Sequence, residues 1–146
     1  GGGGFGGRHC SAPRLVMEPT PTARSPVYVG GLSEVAMRRA ARHDGWVGDL
    51  YTVEEAAGHV ATLARMREET GNERDFSFIT ALTDAFLPEQ FAAAEERGVT
   101  DVMTMPWAYY HGLDVGLEQK LDGMERFAAD VLRPLGITPA ATVPEM

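Results

Sequence analysis

The chain lacks most of the features that mark specialised protein classes. It has one cysteine, Cys10, in 146 residues, which excludes an internal disulfide and any cysteine-rich zinc site. Positive charge is scarce: 13 Lys+Arg stand against 21 Asp+Glu, a formal net charge of -8. Nucleic-acid binding favours a basic patch or stripe, so no nucleic-acid partner is expected. No apolar run approaches the roughly 20 residues that span a bilayer, and no membrane role is expected. Glycines stand at Gly1–Gly4 where a signal peptide would carry its apolar segment. The reading is a soluble, cytoplasmic protein of a reducing compartment. Length is the last shortage. A complete (β/α)₈ barrel takes roughly 250 residues, beyond this chain, whereas one domain with a real core is within reach. The 44% hydrophobic content suits a globular chain rather than a disordered one.

What is present divides into three segments. Residues 1–26, rich in glycine and carrying Pro13, Pro19, Pro21 and Pro26, read as an irregular leader, with Leu15–Met17 as one short edge strand. Residues 27–135 read as the fold and residues 136–146 as a flexible tail. Within the fold, Val27–Val29 is β-branched and aromatic and reads as a buried strand. Ser33 caps a helix over Glu34–His43. A very short strand follows at Trp46–Gly48. Thr52 and Glu55 form a capping box for a helix over Val53–Thr70, stopped by Gly71. Phe76–Leu82 is the clearest strand, with Phe76, Phe78, Thr80 and Leu82 on one face. Pro88 opens a helix that Gly98 closes. Asp101–Met105 is the fourth strand, and an aromatic loop follows with Trp107, Tyr109, Tyr110 and His111. Asp114 caps the last helix, on which Leu117, Leu121, Met124, Ala128 and Val131 form an apolar stripe. Alternating strands and helices predict parallel pairing, in either a small open α/β sheet or half of an eight-fold barrel.

The best local signal for chemistry is Val27–Ser33 running into a helix. Gly30 and Gly31 let the backbone approach a ligand. The free amides at the helix start and the Ser33 hydroxyl suit a phosphate. The plain alternative is an ordinary strand-to-helix turn with a serine cap. The run is neither a GxGxxG fingerprint nor a P-loop. His111, in the aromatic loop, is the histidine best placed for substrate contact. His43 reads as a partner of a helix C-terminus, and His59 as a partly exposed helix residue. His9 and Cys10 are too few to make a metal site. No catalytic acid, base or nucleophile is identified.

Three stretches carry a resemblance: VYVGGLSEVAMRRAARHDGWVG, then ERGVTDVMTMPW, then LEQKLDGMERFAADV. Taken in that order, from about Leu15 to Leu135, they resemble the luciferase-like flavin monooxygenase family, above all its deazaflavin-dependent oxidoreductase branch. The resemblance implies the C-terminal half of a TIM (β/α)₈ barrel, strands five to eight, with the other half on the N-terminal side. It implies an oxidoreductase or monooxygenase using coenzyme F420 or FMN on a small organic substrate. By likeness, Gly30, Gly31 and Ser33 help hold the cofactor phosphate and Trp46 lies near the cofactor. Trp107, Tyr109 and Tyr110 lie at the barrel mouth, where Trp107, Tyr109 and His111 would meet the substrate. Trp46 also reads as a plain core aromatic, and the Trp107 loop as a packed lid. Two other readings stay open. One is a non-catalytic half-barrel that forms a homodimer through its open strand edges or docks on another subunit. The other is a small flavodoxin-like phosphate binder, which a non-sequential strand order would favour.

Overall fold

The computed structural model describes residues 3–15 and 22–138. The leader contains a hairpin where an irregular segment is expected: β1 (Gly3–Gly6) pairs antiparallel with β2 (Ser11–Leu15), a bulge falling between Gly3 and Phe5. Pro13 is tolerated because a two-stranded ribbon has only edge strands, where a missing N–H costs nothing. The edge strand expected at Leu15–Met17 reaches residues 16–17, which lie outside the described residues, as do residues 139–146 of the expected tail.

The rest is α/β. Strands β3 (Tyr28–Gly30), β4 (Gly45–Tyr51), β5 (Ser77–Leu82) and β6 (Asp101–Val102) form a parallel sheet in sequential order. Helices α1 (Glu34–Ala40), α2 (Val53–Thr70) and α3 (Pro88–Glu96) connect them. A short α4 (Ala108–His111) precedes α5 (Leu117–Phe127), which runs on into a π-helical turn, Ala128–Leu132. The register aligns Val29, Trp46 and Phe78 on one face, followed by Thr80 and Val102. That face meets the helices. Met37, Ala40 and Ala41 of the α1 region, Ala56, Leu63 and Met66 of α2, and Ala94 of α3 close one core around Trp46, Phe78 and Leu82. The opposite face carries no helix of its own among the described residues, and Tyr28, Leu50 and Met103 are exposed. A doubly wound sheet reverses its strand order at a switch point; this sheet does not.

Several boundaries move. The first helix ends at Ala40 rather than His43, and its Val35 is exposed. The second strand is longer than expected, reaching Tyr51, because a bulge between Val47 and Leu50 absorbs Gly48–Asp49. Two residues there oppose Thr80, whose hydroxyl donates to the Asp49 carbonyl at 2.7 Å. The fourth strand is shorter, two residues against five expected, since Met103–Met105 leave the ladder after Met103 N–H bonds Thr80 O. The last helix starts after Gly116 rather than Asp114. Its expected stripe splits: Val131 is buried, while Leu117 is 72% exposed and Leu121 and Met124 are also exposed. The fold-facing positions are Gly123 and Phe127.

A candidate site at the C-terminal edge of the sheet

All four parallel strands point their C-terminal ends at one rim, where open α/β sheets bind ligands. Two concavities lie there, separated by the β4 bulge. The first, about 350 Å³, is lined by Gly31, Leu32, Trp46, Val47, Gly48, Asp49 and Tyr51. The second, about 340 Å³, is an apolar groove between the ends of β4, β5 and β6, with Leu50, Phe86, Met103, Met105, Thr104 and Tyr109 on its walls.

The first concavity is shaped by backbone. Gly31 has φ +106, a region that a side chain rarely enters. Its carbonyl accepts a hydrogen bond of 2.9 Å from the Trp46 indole N–H. Trp46 is 0% exposed, packed against Phe78 and near Tyr51 and His59. It therefore reaches the rim through Gly31, as a core residue that fixes the turn. Gly30 is exposed. Ser33 caps α1 by accepting from the Ala36 N–H at 3.3 Å, which leaves its own proton free to donate. Arg38 of α1 is engaged elsewhere, pairing with Glu34 and Glu69.

The aromatic loop divides in two directions. Tyr109 faces the groove, edge-on to Phe86 with ring centroids 5.7 Å apart, and its ring also packs on Phe127. Its hydroxyl accepts from Thr104 Oγ1 at 3.1 Å. Trp107 and His111 turn toward α5. A Cβ on Gly123 would lie 2.4 Å from Trp107 Cα, so the glycine permits this contact. Lys120 stands over the Trp107 ring at 5.4 Å. His111 Nε2 lies 2.6 Å from Asp122 Oδ2. Next to it, the Tyr110 hydroxyl donates to Asp130 at 3.0 Å beneath the Arg126 guanidinium, and burial together with that bond raises the Tyr110 pKa. Of the residues singled out in the sequence, Gly31 and Trp46 line the first concavity and Tyr109 the second. Gly30 and Ser33 flank that turn in the chain but line neither concavity, and Trp107 and His111 stand beside the rim against α5.

Leu50, Phe86, Met103 and Met105 were not legible as site residues. Apolar side chains in strand-like or loop sequence read as core; the bulge brings Leu50 to the rim, the early end of β6 brings Met103 and Met105, and the segment between β5 and α3 brings Phe86. Among the described residues, no group of three or more His, Cys, Asp or Glu is placed to hold a metal ion, and no helix is long and apolar enough to cross a membrane.

Comparison with known proteins adds relatives without roles. No protein-family model matches the chain. It is 35% identical over 130 residues to an uncharacterised protein of Mycobacterium bovis and to uncharacterised proteins of two Mycobacterium tuberculosis strains, CDC 1551 and H37Rv. The alignment takes in 88% of this chain and 45% of each relative, so the chain spans about half the length of the curated relatives it matches.

Proposed function

We propose that the chain is half of a luciferase-like (β/α)₈ barrel, and that the whole protein is an oxidoreductase holding F420 or FMN at the C-terminal rim and acting on a small organic substrate. The observation that carries this reading is the sequential four-stranded parallel sheet with helices on one face and a glycine turn at its rim. A barrel is such a sheet continued until it closes. The length ratio to the relatives supports it, since a half should cover about half.

The Gly30–Ser33 turn suits the phosphate end of such a cofactor by its donors, although the exposed Asp49 carboxylate lines the concavity beside it and repels an anion placed close to it. The open backbone at Gly30–Gly31 and the Ser33 proton offer neutral hydrogen bonds, and the concavity beside Gly31 has about 350 Å³. The cofactor when bound supplies the hydride or reduced-flavin chemistry. The protein's part is to hold its phosphate at Gly30, Gly31 and Ser33, with Trp46 fixing the turn. Leu50, Phe86, Met103 and Tyr109 then exclude water beside the ring. Asp49 is the one acidic side chain lining either rim concavity among the described residues, and no catalytic role is assigned to it.

Titration with F420 and with FMN, followed by fluorescence, tests the reading. Binding of either cofactor is expected, weakened at least ~tenfold in Gly31→Val, which must leave a φ that only glycine holds easily. If neither cofactor binds this chain or a version extended to the relatives' full length, the reading falls. The alternative half-barrel module without catalysis is favoured by one feature, the exposed apolar stripe on α5. The flavodoxin-like alternative loses its support from the sequential strand order.

A further inference from the structure

We propose that the apolar groove at the ends of β4, β5 and β6 binds an uncharged, largely apolar molecule bearing one oxygen acceptor. The inference rests on the reading above only in calling that molecule the substrate. The groove's volume, about 340 Å³, falls within the range of small-ligand sites. None of its lining residues is charged, although the chain as a whole is rich in carboxylates. Leu50, Phe86 and Met103 are exposed, so the walls stand open to a ligand. Methionine side chains adapt to irregular apolar shapes, and Met103 and Met105 form one wall.

The only polar side chains lining the groove are a single hydroxyl pair. Thr104 and Tyr109 bond each other at 3.1 Å. Two hydroxyls hold two protons. One is spent in their mutual bond, and the other remains to donate into the groove. That proton suits a carbonyl, ether or hydroxyl oxygen. A carboxylate or phosphate entering the same space would give up its hydration with no cation to replace it. The Gly31 concavity shares no lining residue with the groove. The two concavities therefore differ in kind: the one beside Gly31 carries the Asp49 carboxylate, whereas the groove has apolar side chains and one hydroxyl pair.

The test uses the chain itself with no cofactor, isotope-labelled at its methionine methyls and followed by NMR. The probes are benzylacetone, butylbenzene and hydrocinnamate, which share a phenylalkyl body and differ in having a ketone, no oxygen or a carboxylate. Benzylacetone is expected to shift the Met103 and Met105 methyl signals saturably, with hydrocinnamate at least ~tenfold weaker. Tyr109→Phe combined with Thr104→Val keeps the ring contacts, and should reduce benzylacetone affinity roughly three- to tenfold, to the level of butylbenzene. No saturable shift, equal affinity for the carboxylate, or an unchanged ketone preference in the double variant would each overturn the proposal. Because no cofactor is present, ketone binding with failed F420 and FMN titrations would leave the groove standing and remove only the oxidoreductase reading.

Discussion

Asp44 does at the N-terminal end of the sheet what Trp46 does at the rim. Its carboxylate accepts both Arg24 guanidinium nitrogens at 2.9 and 2.8 Å and the Val27 N–H at 2.8 Å, with Arg74 at 3.4 Å. Its own N–H bonds the Val27 carbonyl, and its carbonyl accepts the Ser77 N–H. One residue thus ties together the starts of β3, β4 and β5. The Arg24 hydrogen bonds, then the Val27 N–H, lower its pKa from 3.8 to about 2. A carboxyl with a lower pKa in the folded state is protonated first in the unfolded chain. Stability therefore rises with pH across that interval. The contribution is complete above about pH 4 and is lost as pH falls toward about 2. Asp44→Asn is expected to lower the melting temperature at neutral pH and to flatten the acid limb of a stability–pH profile. A parallel downward shift of the whole profile would show that the charge is not what matters. At the rim, Trp46→Phe retains an aromatic in the core and removes the bond to Gly31. A loss of about 1 kcal/mol is expected, with faster amide exchange over Leu32 and Ser33. Trp46→Ala should cost about 3–5 kcal/mol in urea unfolding. Exchange at the turn that is unchanged in Trp46→Phe would disconnect the indole from the turn.

At the scale of elements, the legible parts are those whose signals are local. The α2 box is an example. Thr52 Oγ1 accepts from the Glu55 N–H at 3.2 Å and Glu55 Oε2 accepts from the Thr52 N–H at 2.8 Å, as the T-x-x-E spacing predicts, and Gly71 stops the helix in a left-handed turn at φ 63. Thr52→Ala should destabilise the fold by about 1 kcal/mol, read from a denaturant midpoint with an unchanged slope. The alternation in β5 is equally local, and Phe78, Thr80 and Leu82 are buried. What the sequence conceals depends on distant partners. Gly48–Asp49 reads as a strand end until Thr80 is seen to hold the bulge. The β1–β2 hairpin joins glycines to a proline-bearing segment that by itself resembles coil. The face that α5 presents to the fold is set by Gly123, because only a residue without Cβ lets Trp107 approach. Gly123→Ala would place its Cβ 2.4 Å from Trp107 Cα, close enough to force the helix off the aromatic loop. It should destabilise the chain by about 1–3 kcal/mol and change the Trp107 environment in near-ultraviolet circular dichroism. A neutral result there would mean that the contact between α4 and α5 is loose.

For the whole molecule, the question is what covers the surfaces left open. Contiguous exposed apolar residues commonly mark an interaction surface, and two such groups occur here. One is the helix-free sheet face, with Tyr28, Leu50 and Met103 exposed. The other is the α5 stripe of Leu117, Leu121 and Met124, preceded by exposed Leu113 and continuing into an apolar cleft of about 460 Å³ beside Phe127 and Val131. The sheet's outer strands, β3 and β6, have no further neighbour among the described residues. An open edge is a template for another strand. The sheet edges and the α5 stripe would be buried if the sheet continued around a barrel, with α5 packing against the next helix and the Leu50 and Met103 side chains left at its mouth. Without that continuation, a second copy can supply the same cover, each β3 edge meeting the other's β6 about a twofold axis. The chain alone is therefore expected to associate in a concentration-dependent way, measured by light scattering on a sizing column. Leu117→Glu with Leu121→Glu puts charge on the stripe while replacing no buried residue. It should lower the apparent mass and change folding stability by no more than about 0.5 kcal/mol. A wild-type chain that stays monomeric at every concentration would set self-association aside. A double variant that associates as before would move the contact from the stripe to the sheet face and its edges.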